Sequence, residues 1–134
     1  MVRMEIVYSG QKHCELTHLP STSKIETDAP KDNQGKGERF SPTDLVGAAL
    51  GSCILTTMAI VAERDGLSIE GAKASVEKVM SAQPRRIESL TVQVTLPASL
   101  SDNHRKKLEA SAKQCPVHKS LHPDVKLPIS FIYV

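Results

Sequence analysis

"SPTDLVGAALGSCILTTMAIVAERDG", residues 41–66, is the stretch that decides the fold. Ser41 is a natural N-cap, and Pro42 suits the first helical position, where its missing N–H costs nothing. Asp44, three residues after Ser41, approaches a capping box and complements the positive end of the helix dipole. Gly66 is a natural stop. The pattern predicts a helix over 42–65, about 36 Å long at about 1.5 Å per residue. A domain of this length has a radius of gyration of about 14 Å, so such a helix crosses all of it. Positions 45–62 carry no charge, which is long enough for a bilayer span. No Trp or Tyr flanks the run, Lys and Arg do not cluster at its ends, and Gly, Ser and Thr interrupt it. The expectation is therefore a helix buried on every side inside a soluble assembly, with no membrane partner. Gly47, Ala48, Gly51 and Ser52 form a small-residue patch where another backbone can approach.

The rest of the chain is more polar. With 134 residues it suits one domain, 1–134, whose core needs neither disulfide nor metal. The 17 Lys and Arg nearly balance the 15 Asp and Glu, which gives no electrostatic case for nucleic acid or an anionic membrane. Two Tyr, two Phe and no Trp leave little for stacking bases. The N-terminus lacks the long apolar run of a secretory signal. Three cysteines, an odd number, argue against a disulfide framework and for a reducing cytoplasm.

Residues 2–8 and 14–19 read as strands turned through "SGQKH", and "TSKIET" continues the sheet. Residues 28–40, rich in Gly, Lys and Asp, read as an exposed, mobile loop. After Gly66, alternation in "KASVEKVMS" and "RIESLTVQVTL" predicts a hairpin turned through "AQPRR". Ser101 caps a second helix with Leu108 and Ala112 inward, Pro116 opens a short third one, and "VKLPISFIYV" ends the chain as a strand, Pro128 at its start or on an edge.

Chemistry is concentrated in the cysteines. On the predicted helix Cys53 shares its face with Val46, Ala49, Leu50, Thr56, Thr57 and Ile60, an apolar setting in which a thiol is a small hydrophobe unless a cation stabilises the thiolate. Cys115, in "KQCPVHKSLHP", lies where backbone N–H groups of the next helix can face its sulfur, or where it simply fills a junction. Cys115, His118 and His122 are spaced i, i+3, i+7, a zinc-like face that Pro123 would cut short. Cys14 reads as a half-buried strand residue.

Two motifs in order, "FSPTDLVGAALGSC" and "KQCPVHKSL", resemble the OsmC/Ohr family of osmotically inducible and organic hydroperoxide resistance proteins, and the resemblance covers essentially the whole chain. It implies an α+β OsmC-like fold, a long central helix and a second helix packed on antiparallel sheets in an intertwined homodimer. It also implies that Cys53 attacks an organic hydroperoxide, that Cys115 resolves the sulfenic acid to a disulfide, and that a dithiol, often lipoyl-based in the family, restores the pair, with no metal or organic cofactor. The family's thiolate-holding Arg has no match in "SGQKH", where Gln11 and Lys12 stand, and its acid after the helix-opening Pro is displaced one place, to Asp44. Arg39 or Lys12 is then the expected cation and Asp44 the expected orienting group. Two other readings stand beside this one: a non-catalytic binder of apolar or fatty-acyl ligands at a dimer interface, and a thiol redox sensor.

Overall fold

A computed structural model describes all of residues 1–134, which form two compact units, Met1–Val46 and Gly47–Val134. In the first, β1 (Met4–Gly10), β2 (His13–His18) and β3 (Lys24–Asp28) make an antiparallel sheet in that order. The β1–β2 turn is tight: Gly10, Gln11 and Lys12 all take positive φ, of 92°, 55° and 59°. Register sorts the side chains. Ile6 opposes Leu16 and Leu16 opposes Ile25, so with Met4 these apolar residues share one face. His13, Glu15, Glu26 and Asp28 occupy the other.

Residues 29–40 are largely exposed, as their composition predicts, and have a defined backbone path. They close on themselves around a 3-10 turn, Lys31–Asn33, through Gly35 N–H to Pro30 O (3.0 Å) and Gly37 N–H to Ala29 O (3.2 Å). A Cβ at Gly35 would lie 1.8 Å from Ala29 O, so only glycine fits this packing. Backbone hydrogen bonds organise the segment, and these leave no periodic trace in a sequence.

The helix α1 (Pro42–Arg64) opens as its sequence predicts. Ser41 Oγ accepts the Asp44 N–H at 3.1 Å, and Asp44 Oδ2 accepts the Ser41 N–H at 2.9 Å, a reciprocal capping box. Within the second unit α1 buries one stripe, Gly47, Leu50, Gly51, Ile54, Met58 and Ala62. Ala48, Ala49, Ser52, Thr56 and Ile60 stay exposed. The helix is thus not covered on all sides by its own chain, although by length and composition it is apolar enough to span a membrane.

The buried stripe packs on β4 (Lys73–Ala82) and β5 (Arg85–Leu96), a hairpin turned at Gln83-Pro84. Leu90, Val92, Val94 and Leu96 alternate along β5, and each is at most 1% exposed. The glycines set the approach: a Cβ at Gly51 would lie 3.0 Å from Val76 Cγ2, and one at Gly47 3.3 Å from Leu90 Cδ2. Gly51→Ala is therefore expected to destabilise. Overpacking costs about 1–3 kcal/mol, against at most ~1 kcal/mol recovered in helix propensity. Urea unfolding checks this, and a variant as stable as wild type would refute the close packing.

The α2 helix (Asp102–Ala112) is capped by Ser101 Oγ, which accepts the His104 N–H at 3.2 Å. It seats Leu108 and Ala112 in the core and pairs Lys107 with Asp65 at 2.8 Å. It stops before Cys115, and α3 (Pro116–Ser120) follows. The last strand, β6 (Ile129–Tyr133), sits on the sheet edge beside β5. One expectation needs correcting here. The second sheet is mixed, because β6 runs parallel to β5. A chain returning to the same sheet in the same direction needs a crossover, and α2 with α3 supplies it.

Candidate active site

Cys115 is the N-cap of α3, in extended backbone at φ −64° and ψ 137°. Pro116 starts the helix behind it, and the His118 N–H donates to Cys115 Sγ at 3.2 Å. The residue has no exposed surface. Burial pushes its thiol above the ordinary range, the N–H groups of His118 and Val117 pull the other way, and a hydrogen bond and charge from Cys53 add to the rise.

That last partner is the informative one. Cys53, in the middle of α1, lies 62 positions earlier (115 − 53), yet its side chain is close enough to shift the Cys115 thiol. Both cysteines are reduced. Cys53 is half-buried, unlike the desolvated thiol expected from its apolar neighbours. It lies at the border between the buried stripe and the bare face of α1, next to exposed Ser52. Chemically, such a pair can pass between dithiol and disulfide once an oxidant takes two electrons.

The other residues singled out by sequence have partners of their own. Arg39 Nε donates to Glu26 Oε2 at 3.1 Å, and its Nη1 to the Glu38 carbonyl. Asp44 is half of the capping box. It precedes Cys53 by nine residues of one helix, half a turn out of phase and about 13.5 Å away along the axis. Lys12 is exposed in the β1–β2 turn, where its carbonyl accepts from the Ala29 N–H. His122 falls outside α3, which ends at Ser120, so the i, i+3, i+7 helical face does not form. Cys14 is half-buried in β2.

Two features escaped the sequence. A cleft of about 320 Å³, lined by Leu55, Thr56, Ala59, Ile69 and Ala72 together with Glu63 and Glu70, begins within one helical turn of Cys53. A cluster of His13 with carboxylates forms on the polar face of the first sheet. The alternation in "HCE" and "ETD" was its only signal.

Comparison with known proteins now adds to this geometry. Residues 35–130, which hold both Cys53 and Cys115, match the family described as OsmC-like protein. The chain belongs to that family. Among solved structures, a candidate osmotic-stress-induced and detoxification-response protein of Psychrobacter arcticus 273-4 is 42% identical, with a TM-score of 0.93 over 98% of this chain and 96% of that one. An organic hydroperoxide resistance protein OsmC of Legionella pneumophila shares 18% identity, with a TM-score of 0.80 over 98% and 96% of the two chains. An organic hydroperoxide resistance protein of Elizabethkingia anophelis shares 12%, with a TM-score of 0.80 over 100% and 96%. These last two establish the fold alone. A comparison with the curated proteins finds no match. This OsmC-like chain therefore has the mixed α+β fold of a family that includes hydroperoxide resistance proteins, and its paired thiols lie inside the matched region.

Proposed function

We propose that this OsmC-like protein reduces organic hydroperoxides through Cys53 and Cys115. The observation that carries the reading is the closeness of two reduced thiols from distant parts of the chain, one buried and one half-exposed, the first perturbed by the second. The Cys53 thiolate attacks the outer oxygen of ROOH. The O–O bond breaks, RO⁻ leaves and takes a proton as ROH, and Cys53 becomes a sulfenic acid. The Cys115 sulfur then displaces water from that sulfenic acid, and the disulfide forms. A dithiol returns both electrons, and a lipoyl-type carrier has the right stoichiometry. No metal or organic cofactor enters these steps. The cytoplasm, which keeps thiols reduced, suits such a cycle.

The reading includes a homodimer. Met4, Ile6 and Ile25 on the apolar face of the first sheet are 61%, 58% and 50% exposed, and Ile60 on the bare side of α1 is 53% exposed. Apolar faces of this kind call for a protein partner, and a second copy is the simplest one. On this reading α1 is an interior helix of the dimer.

A second reading, a binder of apolar or fatty-acyl ligands without turnover, is favoured by one finding. Arg39 and Asp44, the expected activating groups, are both engaged elsewhere, by Glu26 and by Ser41. Mass spectrometry of the intact chain and its peptides after one equivalent of cumene hydroperoxide, beside hydrogen peroxide, separates the two. The reductase gives a rapid Cys53–Cys115 disulfide, faster with the organic peroxide. Slow, indiscriminate oxidation that leaves Cys53 reduced would hand the case to the binder.

A further inference from the structure

The polar face of the first sheet holds a group of side chains that the cysteine chemistry does not use. In the β2–β3 register His13 stands opposite Asp28, and Glu15 opposite Glu26. Strand alternation therefore brings four ionisable groups onto one face in two cross-strand rows. One ligand atom each from His13, Glu15 and Glu26 falls within a mutual 4.8 Å.

We propose that His13, Glu15 and Glu26 bind a divalent transition-metal ion, with Asp28 as the residue that positions His13. The His13 ring is aimed from behind. Asp28 is 4% exposed, and its Oδ1 lies 2.6 Å from His13 Nδ1. Its Oδ2 accepts the Glu38 N–H at 3.2 Å, and its own N–H donates to the Phe40 carbonyl. A buried carboxylate held in this way accepts the Nδ1 proton and fixes the ring, the arrangement by which proteins orient a metal-binding histidine, and a metal ion bound at Nε2 would displace the proton that Nε2 now shares with Glu26 Oε1.

The distances suit an ion between the ligands. Nε2 is 3.3 Å from Glu26 Oε1. Two ligands each about 2.1 Å from one ion lie about 3.0–3.4 Å apart in octahedral or tetrahedral geometry. Arg39 holds the other oxygen, Oε2, at 3.1 Å and so leaves Oε1 turned toward His13. Charge points the same way. Two glutamates directly opposite each other repel across an antiparallel pair. Once a metal ion has replaced the Nε2 proton, three carboxylates against Arg39 sum to −2, which a dication cancels. One imidazole with two carboxylates suits Zn²⁺, Mn²⁺, Co²⁺ or Fe²⁺ better than Ca²⁺ or Mg²⁺, which prefer oxygen alone.

The test uses the full chain with Cys14, Cys53 and Cys115 replaced by Ser, so that thiols do not compete. MnCl₂ binding is followed by electron paramagnetic resonance of the free ion, and ZnCl₂ binding by calorimetry, at pH 7.5. One saturable site per chain is expected. Glu15→Gln, an exposed and conservative change, and His13→Ala should each weaken it at least about tenfold, and Asp28→Asn by about 10–100-fold with the stoichiometry kept. His18→Ala and His122→Ala, at histidines outside the cluster, should leave it unchanged. No saturable binding up to millimolar metal, or binding that survives both Glu15→Gln and His13→Ala, overturns the proposal.

Discussion

Cys53→Ser is expected to abolish consumption of cumene hydroperoxide, with a rate loss of at least about 10³-fold, or about 4 kcal/mol of transition-state stabilisation. A serine hydroxyl is not ionised at neutral pH and does not attack a peroxide oxygen as a thiolate does. The fold should survive. The change is nearly isosteric, the position is half-buried, and its neighbour Ser52 already presents a hydroxyl on the same helix. Circular dichroism and thermal unfolding check the fold, and peroxide loss under a dithiol reductant checks the activity. If Cys53→Ser consumes peroxide at the wild-type rate, the reductase reading is wrong.

The second large effect belongs to Cys115. Cys115→Ser should permit one turnover and then stop, because the Cys53 sulfenic acid has lost the thiol that condenses with it. Dimedone should label Cys53 in this variant, whereas the wild type should give the internal disulfide with little label. Sustained wild-type turnover by Cys115→Ser would mean that the external dithiol resolves Cys53 directly.

The pH dependence follows from the direction of the Cys115 shift. Burial holds the thiol protonated to higher pH than an ordinary cysteine, so the resolving step should go on accelerating as pH rises above about 8.5. Stability should move in the opposite sense. With the folded pKa above the unfolded one, the unfolded chain releases its proton first, so stability is unaffected below about pH 8.5 and declines as pH rises past it. Stopped-flow disulfide formation and urea unfolding between about pH 7 and 10 read the two effects, and Cys115→Ser should remove both.

Local chemistry made much of this chain legible. Ser41, Pro42 and Asp44 announce the start of α1 because a capping box is written in three neighbouring residues. Alternation announces β4 and β5 because strand faces repeat every second residue. The two cysteine motifs carry the family. Hydropathy could not say which side of α1 is buried, since the helix is apolar on every face. Glycine decides that: Gly47 and Gly51 let one side settle on Val76 and Leu90. Nor was the direction of β6 legible, because a terminal strand pairs either way until its crossover is folded.

The sequence alone determined the elements, their order and which two thiols fall in the family's motifs, since each of these depends on residues close together along the chain. The tertiary structure decided what depends on distance through space. It brought Cys53 close enough to Cys115 to perturb its thiol, across 62 positions, and left Cys53 at the edge of the buried stripe. It also set Glu15 opposite Glu26 beside His13, by a register in which a slip of one residue would turn every side chain of β3 to the other face.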